Sequence, residues 1–223
     1  SGVGMNVAVT RTPAELAFGG EVLPHPRMED WKWTNLRTLI DRPYPPRQDV
    51  KAAPSDIARL VKSSPFARIA ATRMVFVNGH YAPSLSKVGA LPADVIVGSL
   101  AEALTTQPEK LEPHLGKYVT ANAQGFAALN TALLTDGAHI HLARGAVLEQ
   151  PIYLVFIATQ ADASMVSPRN LVVAEAGSQA IIIEQYLALN EARYVTNAIT
   201  EAVLADNSRI EHYRFQQESS KAH

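Results

Sequence analysis

The chain has 223 residues, 47% of them hydrophobic, and its 20 basic and 21 acidic residues nearly cancel. This balance gives no electrostatic argument for binding nucleic acid or an anionic membrane. It contains no cysteine, which excludes disulfides, thiolate nucleophiles and cysteine-ligated metals within the chain. We therefore expect a protein of a reducing compartment, the cytoplasm.

The apolar runs are too short for a membrane helix, which needs roughly 18 residues. The longest run, PIYLVFIA at 151–158, has the length of a strand. The opening residues, SGVGMNVAVT, lack a charged segment followed by an apolar block, so we expect no signal peptide and no membrane association. Residues 1–5 read as a remnant of the expression vector outside the fold.

Residues 6–65 are polar and rich in proline, and they predict a helical N-terminal arm. One short helix is expected after Thr12, with Pro13 at its first position. A second is expected over 34–40, before a proline-rich stretch that ends it. The segment APSDIARLVKSS predicts a third, with Ser55 as its N-cap.

Residues 66–136 predict a mixed α/β lead-in to the core. The run at 74–77 precedes Asn78-Gly79, the strongest short signal for a hairpin. A short strand is expected in ADVIVGS. Two helices are expected in LAEALTTQPEKLEPHLG and NAQGFAALNTALLTD, the latter from the spacing of its apolar residues, Phe126, Leu129 and Leu133.

From Gly137 to the end, helical periodicity gives way to short strands. Three segments, starting at His139, Asn170 and Ala198, each read as strand, corner and strand. The corner residues are Gly145, Gly177 and Asn207. They follow one another at nearly equal intervals, and both residue types tolerate a positive φ.

A repeat of roughly 30 residues with strand content indicates stacked coils that cover one another. The fold class predicted for the chain is mainly β, an incomplete right-handed parallel β-helix over 137–223 preceded by a small helical N-terminal region. A sandwich or barrel of antiparallel hairpins is the alternative.

The last predicted strand, in RIEHYRFQQESSKAH, precedes only a few polar residues. A stack of coils needs a terminal cap, because its last coil exposes unpaired edges and apolar surface. We therefore expect either more chain after His223 or a second subunit over this end, which makes a homo-oligomer the predicted state.

Two histidines and three glutamates are the first candidates for chemistry. His139 and His141 share one face of a strand, a spacing that can hold a metal if a third ligand is supplied. Glu149, Glu175 and Glu184 resemble the carboxylates of β-helical polysaccharide enzymes, but they fall at different offsets from their corners. We favour solvated positions for all five, with Glu184 at a strand end or between coils.

The remaining candidates are weaker. Trp31 and Trp33 around Lys32 could stack a base or a sugar, but we favour anchoring of the arm against the core. His80 follows the Asn78-Gly79 turn and needs no further explanation. The sequence has no nucleophile elbow and no glycine-rich phosphate loop. No catalytic, cofactor-binding or metal residue is therefore assigned.

Four stretches in chain order carry a family resemblance. They are LPHPRMEDWKWTNLRTL, RMVFVNGHYAPSLS, ALNTALLTDGAHIHLARGAVLEQPIYL and AEAGSQAIIIEQYLALNEARYVTNAITEAVLADNSRIEHYRFQQE. Together they resemble the SufB/SufD family of the bacterial SUF machinery for iron–sulfur cluster assembly, and within it the SufD branch. The resemblance runs from Leu23 to about Glu218.

The resemblance implies a right-handed parallel β-helix that acts as a non-catalytic scaffold. SufD pairs with SufB, both bind the ATPase SufC, and the complete complex assembles a cluster transiently and acquires iron. Family members continue through more coils and a helical domain that carry these contacts. His139, His141 and His212 do not match the family's interfacial histidine, so no site residue is carried over. A β-helical carbohydrate-active enzyme and a β-helical interaction module are the alternatives.

Overall fold

The computed structural model describes residues 52–119, 125–159 and 164–222. Three groups of predictions therefore lie outside the described residues: the remnant at 1–5, the two helices before residue 41, and the cluster of Trp31, Lys32 and Trp33.

The helices of the described part are short. They are α1 (Pro54–Ser63), α2 (Leu100–Thr106), α3 (Pro108–Leu111) and α4 (Gly125–Ala132), with 3-10 turns at Pro65–Arg68 and Pro83–Leu85. The prediction of Ser55 as an N-cap is wrong, because α1 begins at Pro54 and its N-cap is Ala53. Proline suits this first position, where its missing N–H would have no partner in the helix. The hydroxyl of Ser99 caps α2 by accepting the N–H of Glu102 at 3.1 Å.

Strands are the other regular elements of the described chain. They are β1 (Thr72–Val77), β2 (His80–Tyr81), β3 (Val95–Ser99), β4 (Ala138–Leu142), β5 (Ile152–Ala158), β6 (Met165–Val166), β7 (Arg169–Ala174), β8 (Gln179–Ala188), β9 (Val195–Thr196), β10 (Ile199–Leu204) and β11 (Arg209–Gln217).

The predicted hairpin is present between β1 and β2. Asn78 and Gly79 have φ angles of 50° and 83°, as a two-residue hairpin turn with both φ positive requires. Phe76 pairs with Tyr81 across the turn. His80 is exposed at the start of β2, so its place in the hairpin explains its presence without a chemical role.

The strands form three sheets. One has the order β11-β8-β5-β1-β2, the second β10-β7-β4-β3, and the third pairs β6 with β9. From β4 onward the chain visits the four-stranded, the five-stranded and the two-stranded sheet in turn and then repeats. Pairing between successive visits is parallel, and only β1–β2 and β3–β4 pair antiparallel among the described strands. The described part is thus a strand-rich mixed α/β structure with parallel sheets, and the predicted antiparallel alternative does not describe these segments.

The register agrees with the spacing of the corners. Leu171 lies beside His139, and Arg209 lies beside Gln179, so partners in neighbouring strands are separated in sequence by the same intervals as the corners. Gly145 and Gly177 have φ of 74°, and Asn207 has φ of 57°. The prediction of corner residues in the left-handed region is confirmed, and it explains why two of the three are glycine.

The main core lies between the five-stranded and four-stranded sheets. Its members come from both sheets and include Ile140, Leu154, Phe156, Val172 and Ile182. The rings of Phe76, Phe156 and Tyr186 stack along three neighbouring strands with 4.9 Å between the centroids of Phe156 and each neighbour. Side chains alternate along each strand, so every second residue of these strands points into this core.

Helices cover the outer faces of both large sheets. Ile57 and Val61 of α1 pack on Val75 and Val155 of the five-stranded sheet. A separate cluster, Leu100, Leu111, Leu171 and Val173, joins α2 and α3 to the four-stranded sheet.

The segment after α1 reaches across the five-stranded sheet to its last strand. The Ser64 hydroxyl donates to Gln185 Oε1 at 2.6 Å, and Gln185 donates in turn to Gln217 of β11. The Phe66 ring lies 4.5 Å from that of Phe215, also in β11.

Candidate functional site

Strands β10 and β11 lie at one end of the two large sheets and form a surface that we call the open edge. Each ends its sheet, so on one side its backbone N–H and C=O groups pair with no other described strand. Leu204, Tyr213 and Phe215 are exposed by 50%, 48% and 39% along it. An edge with exposed apolar side chains is a ready template for another strand.

Next to the open edge lies Glu184, in the middle of β8 and fully buried. Its Oε1 accepts hydrogen bonds from Asn170 Nδ2 at 3.0 Å and Thr200 Oγ1 at 2.8 Å, and His212 Nε2 lies 3.1 Å away. Its Oε2 accepts from the Tyr186 hydroxyl at 3.1 Å and Arg214 Nε at 3.0 Å. Five side chains therefore surround one carboxylate. We call these six residues the Glu184 network.

The charge of Glu184 is stabilised by this network. Burial alone would raise the pKa of its carboxyl, but the hydrogen bond with His212 and the charge of Arg214 outweigh burial and lower the pKa to about 2. Arg214 also lies 5.4 Å over the ring of Tyr186. The carboxylate is thus ionised near neutral pH and fully engaged, which is a structural arrangement and not that of a general acid or base.

The sequence-based expectation for Glu184 is wrong in two respects. It is not solvated, and it does not lie at a strand end. Its neighbours Ile182 and Tyr186, on the same face of β8, belong to the main core, so Glu184 points inward as they do. The part of the prediction that holds is the position between successive turns of the chain, because four of its five partners come from β7, β10 and β11.

On the outer face of the four-stranded sheet, a cavity of about 370 Å³ contains the predicted histidine pair. We call it the histidine cleft. It is lined by residues from α3 and the turn after it, from β4, and from the ends of β7 and β10: Lys110, His114, His139, His141, Val173, Ala174, Glu175, Val203 and Ala205. Sequence reasoning missed His114 and Lys110, which lie far from the pair in sequence and outside its strand.

The two histidines of the pair have different surroundings. His139 is 8% exposed and forms no hydrogen bond with a described side chain, so its predicted solvated position is wrong. Its burial, and then the charges of His141, Lys110 and His114, lower its pKa to about 4. His141 is half-buried, and its Nε2 lies 2.9 Å from Glu175 Oε1.

Glu175 and Glu149 lie in the solvated positions predicted for them. Glu175 also accepts the backbone N–H of Arg144 at 3.0 Å, and the hydrogen bond with His141 lowers its pKa. Glu175 lines the outer cleft, whereas Glu184 points into the core between the sheets. The two carboxylates therefore do not face a common space, as an acid–base pair would require.

The described ranges contain neither a metal-binding cluster nor a membrane helix. Within 52–119, 125–159 and 164–222, no three histidine, aspartate or glutamate side chains are placed to hold a metal ion. None of the helices in the same ranges is long and apolar enough to cross a bilayer.

Comparison with known families divides the chain into two matched segments. Residues 4–154 match the model of the SufBD protein N-terminal region, and residues 156–223 match that of the SUF system FeS cluster assembly, SufBD core domain. The chain belongs to the SufBD family. The second match begins within β5 and covers the strands that form the open edge.

Several curated relatives are similar over most of the chain. Identity is 32% to the iron–sulfur cluster assembly SufBD family protein slr0076 of Synechocystis, over 91% of this chain and 46% of the relative. It is 27% to the iron–sulfur cluster assembly protein SufD of Escherichia coli, over 90% and 44%. It is 24% to the chloroplastic protein ABCI7 of Arabidopsis thaliana, over 88% and 45%. The chain spans somewhat under half the length of these relatives.

Proposed function

We propose that this SufBD family chain is the N-terminal portion of a SufD-like scaffold subunit for iron–sulfur cluster assembly and catalyses no reaction itself. The similarity to the Escherichia coli protein named SufD supports the SufD branch. The buried, fully engaged carboxylate of Glu184 supports a structural role for the polar residues of the coils. The cluster is the product of the complete complex, and this chain holds no cofactor of its own.

We further propose that residues 137–223 wind as a right-handed parallel β-helix. Three facts support it: the chain returns to the same sheet at nearly constant intervals, each return pairs in parallel, and the corners share a positive φ. Short parallel strands that stack in this way bury apolar faces only against their neighbours, so each turn depends on the next.

The observation that carries the scaffold proposal is the open edge. A scaffold acts through surfaces, and β10 and β11 offer two parallel rows of backbone groups beside exposed apolar side chains. We place the contacts with SufB and the ATPase SufC outside the residues of this chain, in the part that its relatives have in addition.

We also propose that the complete complex acts in iron acquisition and that this chain is located in the cytoplasm.

Co-purification tests the assignment to the SUF system. A tagged form extended to the length of the relatives is expected to retain co-expressed SufB and SufC, whereas the tagged 223-residue chain is expected to lose both. Retention of both partners by the shorter chain would show that the interfaces lie elsewhere. Failure of the extended form to retain either partner would contradict the scaffold role.

The open edge also predicts self-association of the 223-residue chain. Burying about 400 Å² of apolar surface there contributes on the order of 10 kcal/mol before entropy costs. Light scattering is expected to show a dimer or larger species, and the double variant Leu204→Glu/Tyr213→Glu is expected to be monomeric. Tyr118→Glu is the matched control, because Tyr118 is 58% exposed but lies in the turn after α3. A monomeric parent at high concentration would contradict the proposal.

A further inference from the structure

The histidine cleft has the size and construction of a small-molecule site. Its volume of about 370 Å³ falls in the range of cavities that bind small ligands. Four small aliphatic residues provide an apolar lining, Val173, Ala174, Val203 and Ala205. Polar side chains converge on it from β4, α3 and the turn after α3, and apolar walls with a few convergent polar groups are typical of ligand sites.

Two imidazoles of the cleft have unused hydrogen-bonding capacity. His139 is more than nine-tenths buried and forms no hydrogen bond with a described side chain, and His114 Nδ1 is buried without a partner among the described residues. The buried His114 Nδ1 costs free energy because it has no partner, and a ligand that supplies the partner removes this cost. These two residues mark where a polar group of the ligand would lie.

The charges of the cleft indicate the sign of the ligand. Lys110 Nζ donates to the neutral Gln107 Oε1 at 2.6 Å and makes no ion pair with a described residue. The one carboxylate of the lining, Glu175, is already engaged by His141 and by the N–H of Arg144. Within the described lining, the cleft thus offers one uncompensated positive charge and no free negative charge, and the nearby cations contribute to the lowered pKa of His139.

We propose that the histidine cleft binds a small carboxylate with a compact apolar body. The carboxylate lies against Lys110, His114 and His139, and the apolar body lies on the aliphatic residues of β7 and β10. One ammonium group matches a monoanion better than a dianionic phosphate. This site lies on the outer face of the four-stranded sheet, where it shares β10 with the open edge, and it does not depend on the proposed role in cluster assembly.

Benzoate is a suitable probe, with benzamide as its uncharged control of the same shape. In the 223-residue chain, benzoate is expected to bind saturably and to shift the imidazole NMR signals of His139 and His114. Benzamide is expected to bind at least about tenfold more weakly, because it lacks the charge that faces Lys110. Inorganic phosphate is expected not to displace benzoate.

Three variants locate the site. Lys110→Gln is expected to weaken benzoate binding about tenfold, whereas Lys117→Gln, on the same exposed segment but outside the cleft, leaves binding unchanged. Ala205→Phe, at an exposed position, fills the cleft and is expected to abolish binding. Both Lys110 and Ala205 are exposed, so neither change is expected to unfold the chain.

The proposal is overturned by any of several results. Equal affinity for benzoate and benzamide would show an apolar cavity without anion selectivity. Equal effects of Lys110→Gln and Lys117→Gln would show binding elsewhere. Displacement by phosphate at similar concentration would show a general anion site, and shifts that never saturate would show no site at all.

Discussion

Strands β5 and β11 occupy equivalent places two turns apart in the chain, with β8 between them, yet one is buried and the other exposed. β5 is buried along its whole length, whereas β11 is mostly exposed. The register aligns Leu154 with Glu184 and Glu184 with Arg214, so one inward position changes from apolar to acidic to basic across three strands. The position of a strand within the stack, more than its intrinsic strand propensity, decides how much each of its residues contributes to the stability of the fold.

The sharpest test of this contrast compares two phenylalanines. Phe156→Ala in β5 removes a ring that stacks on two others and is 6% exposed, and is expected to cost about 3–5 kcal/mol in free energy of unfolding. Phe215→Ala in β11 removes a ring that is 39% exposed and is expected to cost about 1 kcal/mol. Urea unfolding measures both, and equal losses would show that the two strands are equally embedded.

Removing the charge of Glu184 is expected to have the next largest effect. Glu184→Gln leaves Arg214 and His212 beside an uncharged amide and is expected to cost about 2 kcal/mol, less than a fully buried pair because Arg214 is partly exposed. The control is Glu211→Gln in β11, whose ion pair with Arg209 lies at the surface and is worth under about 0.5 kcal/mol. Similar losses for the two variants would contradict a special role of the buried network.

The pH dependence of stability tests the same carboxylate by another route. The pKa of Glu184 is lowered from 4.5 to about 2 in the folded chain. The resulting stability is present above the unfolded-state pKa and is lost as the pH falls from 4.5 through about 2. The difference in unfolding free energy between the parent and Glu184→Gln should therefore narrow across this window. A difference that stays constant as the pH falls through this window would show that the charge is not what the network stabilises.

The smallest expected changes in stability are those of substitutions at two corners. Gly177→Ala places a side chain on a backbone with φ of 74° and is expected to cost about 1 kcal/mol. Asn207→Gly, at the equivalent corner beside the open edge, is expected to change stability by less than about 0.5 kcal/mol, because asparagine and glycine both tolerate this region. Thermal unfolding of both variants distinguishes them, and a neutral Gly177→Ala would mean that the corner relaxes.

Local signals allowed much of the fold to be predicted from sequence. Asn78-Gly79 specifies its hairpin through φ angles that few other residues adopt, and Gly145, Gly177 and Asn207 mark the corners for the same reason. Their spacing predicts the register, because a chain that returns to the same sheet must use a nearly fixed number of residues in each turn.

The sites could not be predicted in the same way, because they are assembled over long distances. Glu184 obtains four of its five partners from three other strands, and Arg214 and Thr200 are far from it in sequence. An isolated glutamate in an apolar run is compatible with a surface position until those partners are known. His114 meets His139 only because α3 packs on the four-stranded sheet, and helix packing of this kind leaves no local pattern.

The contact between Phe66 and Phe215, together with the hydrogen bonds from Ser64 through Gln185 to Gln217, ties an early segment to the last strand. Most of the described chain lies between these partners, and contacts so distant in sequence slow folding. On the ribosome, the segment around Phe66 would emerge long before β11 exists. Its contact with Phe215 can therefore form only after β11 has been translated.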